Sequence, residues 1–360
     1  MNYEYYSSLA LVASAVVYML AMFAHAAEWA AARRDVADPS ASLTAQQSAR
    51  VAAPKPEVAP DTAVAPELVG ARELVRAGQS APGAAGVRAD VAQGAAPPST
   101  ADGGSDGLPP RQRMEMFGRI GVALTLVGFA LSVTGVVARG LAAGRPPWGN
   151  MFEFTTSAMV FVVAVYLVML FKSGMRWLGL PVTLLAAVGN GLAVTVFYVA
   201  VAPLVPALHS VWFVIHIVAA VISGAAFNVG GIAAILYLLK KRAEDRGTVR
   251  GYLASLPTAK RIDLLSYRFH AFAFPLWTFT VAAGAVWAEY AWGRYWGWDP
   301  KETWALVTWV IYACYLHARS TAGWKGTKAA VIAIIGLASF WFNFVGINLL
   351  VSGLHSYAGV

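Results

Sequence analysis

Charge is scarce in this chain of 360 residues. Asp, Glu, Lys and Arg make up 13% of it, against ~25% in soluble proteins, while hydrophobic residues reach 58%. With a mean hydropathy of +0.57, the polar surface is too small for the two or three soluble domains that length alone suggests. Cysteine is scarcer still. A single one, Cys314, excludes an internal disulfide framework, a Cys-x-x-Cys redox pair and a thiolate zinc site. Alternating strands are missing too, since the apolar runs are continuous, and this argues against a closed barrel. Tryptophan, by contrast, is abundant at 13 residues, although Leu, Val and Ala suffice to fill a bilayer interior.

Runs long enough to cross a ~30 Å hydrocarbon core occur eight times: 7–30, 117–138, 151–171, 177–201, 210–239, 270–291, 303–320 and 328–352. Backbone amides in lipid have no water to bond, so each run is expected to be a helix. The fold class is therefore all-α, a polytopic membrane helix bundle of about eight transmembrane helices. Orientation follows from Lys and Arg. One set of connections carries Arg33, Arg34, Lys172, Arg176, the cluster from Lys240 to Arg268, Arg319, Lys325 and Lys328. The other holds only Arg139, Arg145, Arg294 and Lys301. The rich set is expected in the cytoplasm, with both termini outside. The net charge of +8 is thus a matter of topology and requires no nucleic acid. Loop 240–268 suits contact with anionic lipid.

Three regions are expected. Residues 1–32 form an N-terminal transmembrane anchor helix. Ala24-His25-Ala26 mimics a cleavage site, but a signal peptide needs positive charge ahead of its apolar core, and only Glu4 is charged there. Residues 33–113 are rich in Ala, Pro, Gly and Ser, with nine Lys/Arg balancing nine Asp/Glu. They read as a disordered cytoplasmic linker, with at most a short helix near 67–76. Residues 114–360 form a seven-helix domain.

Trp287, Trp292, Trp296, Trp298 and Trp304 crowd one external segment between the sixth and seventh spans. Asp299, Pro300 and Glu302 suit the N-cap, N1 and N3 positions of the seventh helix, a capping box. Two readings stand on these residues. They are an interfacial aromatic belt beside a well-capped helix, or an indole surface that receives a large flat ligand. Belt aromatics usually spread over many helix ends, whereas these are concentrated in one loop.

The run Trp296-Gly297-Trp298-Asp299-Pro300-Lys301-Glu302-Thr303-Trp304 resembles the WWD signature of heme-handling proteins in cytochrome c maturation, here within 292–304. It is most similar to the System II family called CcsA or ResC (CcsB in some actinobacterial genomes). Further segments resemble that family: Arg145 to Glu153, Pro206 to His216, Tyr315 to Arg319, and Gly353 to Tyr357. The resemblance spans roughly 117–360. The linker has no counterpart in it, and His209 stands where a different polar residue is expected.

This resemblance implies heme b as cofactor, with His216 and His355 as two external axial ligands. The ring would lie against Trp292, Trp296, Trp298 and Trp304, with Asp299 inside the same motif. His317, near the cytoplasmic end of the seventh span, would serve a second, intramembrane heme site whose other ligand comes from a ResB-like membrane partner. Glu153, Arg145 and Asn150 are candidates to contact heme propionates or to fix the external loop, and Arg294 and Lys301 could also pair with propionates, although Lys301 reads equally as a solvated helix-start residue. Without the resemblance, a lone His near a helix end reads as a hydrogen-bonded interfacial residue. His317 could equally pair with backbone or lipid phosphate near Arg319. His25, His209 and His270 are expected to be structural, Cys314 a small core residue, and Asn190, Asn228, Asn343 and Asn348 helix-joining residues.

The implied function is heme transport across the plasma (inner) membrane and its covalent attachment to Cys-x-x-Cys-His of apocytochrome c outside the cytoplasm. The chain would be one subunit of a cytochrome c synthetase, served by a thiol-reductant pathway. The chemistry would lie on heme vinyls and substrate thiols, so no catalytic acid or base is expected. One alternative is a heme exporter or chaperone that hands heme to a separate ligase. Another is a multi-span solute transporter, which predicts broken helices and a charged midplane site in repeated halves. No such repeat is present.

Overall fold

Lipid-immersed backbone must satisfy its own hydrogen bonds, and among the described residues the expected runs fold accordingly into eight long helices. A computed structural model describes residues 2–37, 110–321 and 323–355. The helices are α1 (Tyr3–Ala37), α2 (Pro110–Ala143), α3 (Met151–Ser173) and α4 (Gly179–Thr195). They continue with α5 (Val211–Asp245), α6 (Ala259–Trp292), α7 (Pro300–Ser320) and α8 (Thr327–Trp341). There is no strand among the described residues. The protein is an all-α polytopic membrane bundle. These helices belong to one unit formed by residues 1–38 and 108–360; a second unit, Pro39–Gly107, lies wholly outside the described residues. So does the short helix expected near 67–76, while α1 and α2 trim the ends of the expected linker.

Among the described residues, seven helices are long and apolar enough to cross a membrane. The exception is α7, where Lys301, Glu302, His317 and Arg319 sit within its ends. The fourth run is shorter than expected, since α4 stops at Thr195 and residues 196–210 are irregular except for a turn at Pro206–Leu208. Irregular backbone in a membrane protein needs protein partners. Arg139 Nη2 donates to the Val199 carbonyl at 2.6 Å, and the Val201 amide donates to Glu4 at 2.9 Å. The eighth run is helical but interrupted, passing through a π turn at Phe342–Gly346 before Ile347–Leu350.

Local signals set the helix starts. Asn150 caps α3 by accepting from the Glu153 amide at 2.9 Å, and Gly174 ends that helix in the left-handed region at φ 63°. Ser210 caps α5. The Asp299/Glu302 capping box of α7 is present.

Small residues allow close helix packing. Gly121, Gly128 and Gly135 repeat every seventh residue of α2 and face His25, Tyr18 and Leu11 on α1, which repeat in the same way in the opposite direction. A Cβ at these glycines would lie 2.8, 2.8 and 2.6 Å from those side chains. Elsewhere α5 packs on α6, α3 on α4 and α5, and α7 and α8 on each other. Glu4 meets Arg139 and Val201, and His355 meets Asp299. Both lie at the end of the bundle that carries the tryptophan segment.

Candidate functional site

That end of the bundle is hollow. A cavity of about 1190 Å³, open mouth included, is enclosed by α5, α6, α7, α8 and the start of α3. Its walls are aromatic, with Trp148, Trp277, Trp287, Trp292, Tyr295 and Trp296 among the lining residues. Polar side chains on the wall include His216, His355, Lys301 and Asn343.

His216 lies in the second turn of α5. Its Nδ1 is 2.9 Å from the Thr280 carbonyl of α6. A carbonyl only accepts, so Nδ1 carries the proton and Nε2 keeps its lone pair. Gly284, one turn further along α6, makes this approach feasible: a Cβ there would be 2.8 Å from the same Nδ1.

His355 follows α8. Its Nδ1 donates to Asp299 Oδ2 at 2.7 Å, while Asp299 Oδ1 accepts from the Leu354 amide at 2.7 Å. Asp299 therefore caps α7 and holds the imidazole at once. Burial opposes its charge, but hydrogen bonds from His355 and from the Leu354 and Lys301 amides hold its carboxyl down to about 2. Burial lowers the His355 pKa by more than the hydrogen bond to Asp299 raises it. The bond to Asp299 fixes Nδ1 as a protonated ring nitrogen.

Trp287 unites the two histidines. Its ring centre is 5.8 Å from that of His216 and nearly parallel at 20°, and 5.7 Å from that of His355 at 69°. Its Nε1 donates to the Ala207 carbonyl at 2.8 Å, which gives the Pro206–Leu208 turn a structural purpose.

Beside the cavity lies a buried ionic hub. Glu153, fully buried, accepts from Arg139 Nε at 3.0 Å, Arg145 Nη1 at 2.7 Å and the Gly149 amide at 2.8 Å. Arg139 also pairs with Glu4 at 3.5 Å. Buried charges are tolerable when their remaining hydrogen-bonding capacity is met. This hub ties α1, α2 and α3 to Gly149, which lines the cavity.

The family described as Cytochrome C assembly protein matches residues 129–355. The chain belongs to that family. It is 36% identical to Cytochrome c biogenesis protein CcsA of Microcystis aeruginosa over 61% of this chain and 81% of that one. To the protein of the same name from Mesostigma viride it is 35% identical, over 68% and 87%. The Chlamydomonas reinhardtii protein is 46% identical over 155 residues, 43% of each chain. A solved structure titled Cytochrome c Heme Lyase CcmF overlaps 66% of this chain and 42% of that one, with 14% identity and a TM-score of 0.49; so loose an overlap supports no functional statement. Family membership places the chain in heme handling during cytochrome c maturation.

Four of the ten site residues expected from the sequence line the cavity together: His216, His355, Trp292 and Trp296. Asp299 acts through His355. Trp304 packs on Phe342 with ring centres 4.4 Å apart, outside the cavity wall. Trp298 is 67% exposed and adopts φ 59°, a costly conformation for a bulky side chain. At Gly297 before it, the Arg294 guanidinium fills the place a Cβ would take. Glu153 and Arg145 face each other in the hub and not the cavity. His317 is exposed on α7, its Nδ1 3.4 Å from the Thr321 hydroxyl, and Arg319 nearby pairs with Asp263 at 2.8 Å. Trp148, Trp277, Lys301 and Asn343 also line the wall. Of these, Lys301 carried the visible signal, a cation inside the tryptophan motif.

Proposed function

We propose that the cavity holds heme b between His216 and His355, on the outer face of the plasma (inner) membrane. There the heme is attached to apocytochrome c. The observation that carries this reading is the pair of imidazoles on one aromatic wall, each fixed through Nδ1 so that Nε2 is the ligand. Two axial nitrogens suit an iron whose other four ligands come from a macrocycle. Apolar walls suit its faces.

Heme is the substrate, and its vinyl groups take up the two thiols of Cys-x-x-Cys-His as thioethers. The chain orients the ring, excludes water from one face and retains iron through exchangeable imidazoles. The Thr280 carbonyl and the Asp299 carboxylate fix the tautomers that make this retention strong. A substrate imidazole that replaces one of them releases the product. His317 serves an earlier site, where heme enters from the cytoplasmic leaflet. Its exposure on α7 supports a second ligand from a ResB-like partner.

The test is the absorption spectrum of the purified full-length chain loaded with heme. A bis-imidazole spectrum is expected, and His216→Ala or His355→Ala should abolish it along with cytochrome c assembly. Full assembly in both variants would sink the ligand assignment. Retained heme without thioether formation, in the presence of partner and apocytochrome, would favour a heme chaperone.

A further inference from the structure

Four cations sit at the cavity end of the bundle, and three of them lie off the cavity wall. Arg139 and Arg145 hold Glu153, and Arg294 lies 3.5 Å from Glu302. Among the described residues, Lys301 is the one Lys or Arg on the cavity wall. Its Nζ donates to Asn348 Oδ1 at 2.6 Å, and Asn348 is itself fixed by donating to the Phe344 carbonyl at 2.6 Å. An ammonium has three donors, and Asn348 takes one.

On the same wall is Asn343, 7% exposed, with a buried Oδ1 that has no partner. It lies in the π turn Phe342–Gly346, and a half-turn of its amide presents donors in place of that oxygen. Glu302 also lines the cavity, but it accepts from the Gly297 and Asp299 amides at 2.9 and 3.1 Å and faces Arg294. It is not the counter-ion of Lys301. A buried ammonium that only the nearby Asp299 carboxylate supports, with donors to spare beside an unpartnered amide on a wall of indoles, is costly unless an anionic ligand completes it.

We propose that Lys301, supported by Asn348 and Asn343, anchors one carboxylate of the bound macrocycle, a heme propionate. The contact sets which way round the ring lies in the cavity. This rests on the heme reading above. Propionates and vinyls occupy opposite sides of the ring, so the anchor turns the reactive vinyl edge away from Lys301. Lys301 is an orienting contact; the iron remains with the two histidines.

The experiment titrates the full-length chain in lipid nanodiscs with iron protoporphyrin IX and, separately, with its dimethyl ester. The ester keeps ring, iron and vinyls but lacks both carboxylates. Wild type should bind the free acid about tenfold more tightly, the scale of one hydrogen bond to a charged group. Lys301→Met should bring that preference close to one, and Lys301→Arg should keep it. Both variants should retain the bis-imidazole spectrum. Equal binding of the two rings by wild type overturns the anchor and leaves the heme reading in place. So does a preference that survives Lys301→Met with its spectrum intact. Failure of wild type to bind either ring overturns both.

Discussion

His216 and His355 are held in the same manner as His25 and His270, and the two pairs differ in what lies beyond the ring. Every one of the four engages a partner through Nδ1: Thr280, Asp299, Glu28 and Ser266 respectively. For His25 and His270 the space then closes. A Cβ at Gly179 would lie 2.7 Å from His25 Nε2. His270 is enclosed by Tyr312 and Tyr315, with ring centres 5.1 and 4.9 Å away. In both residues Nε2 is buried without a partner. His216 and His355 instead border the cavity. Bonding to Nδ1 prepares an imidazole as a ligand, and only adjoining space lets it act as one.

The largest expected effect tests this contrast directly. His355→Ala should weaken heme binding by more than the ~100-fold that loss of a supporting residue alone can cause. His270→Leu should leave the heme content of the folded protein unchanged. Heme titration of both variants decides; equal losses would break the distinction.

A smaller effect is expected from Asp299→Asn, which keeps the shape of the cap but removes the charge behind His355. Affinity should fall about 10- to 100-fold. With its carboxyl held down to about 2, Asp299 stays ionised throughout the neutral range. The wild-type/variant ratio should therefore be constant between about pH 6 and 8; a ratio that changes steeply there would show that Asp299 titrates.

The smallest effect compares two glycines. Gly284→Ala places a methyl against His216 and Gly128→Ala places one against Tyr18, at the same 2.8 Å. Each should cost about 1–3 kcal/mol of stability by overpacking. Only Gly284→Ala should also weaken heme binding several-fold, read by titration alongside thermal unfolding. Equal heme affinities in the two would mean that the seat of His216 tolerates displacement.

Much of the fold was legible because its causes are local. Hydropathy over about 20 residues marks a helix whatever it packs against, and Asp299-Pro300-x-Glu302 starts α7 through its own side chains. That His216 and His355 lie at the end of the tryptophan segment was legible too, because positions near helix ends translate into depth, whereas their pairing as ligands came from the family resemblance. The inward faces were harder to read. Trp298 and Trp304 share the motif with Trp296, yet only Trp296 lines the cavity. Arg145 and Glu153 could be read as ligand contacts or as a brace for the external loop, and the fold joins them to Arg139 and the Gly149 amide. The seven-residue spacing of Gly121, Gly128 and Gly135 was visible, but it gains meaning only with Leu11, Tyr18 and His25 opposite.

The sequence by itself determined that this chain is a bundle of membrane helices with a tryptophan-rich segment and two histidines at one end. Tertiary structure decided which of those side chains share a cavity and which cation joins them. The reason is the solvent. In water an amphipathic stripe marks the inward face of a helix, whereas in lipid the outward face is apolar as well. Direction around the helix axis is then set only by the neighbours that pack against it.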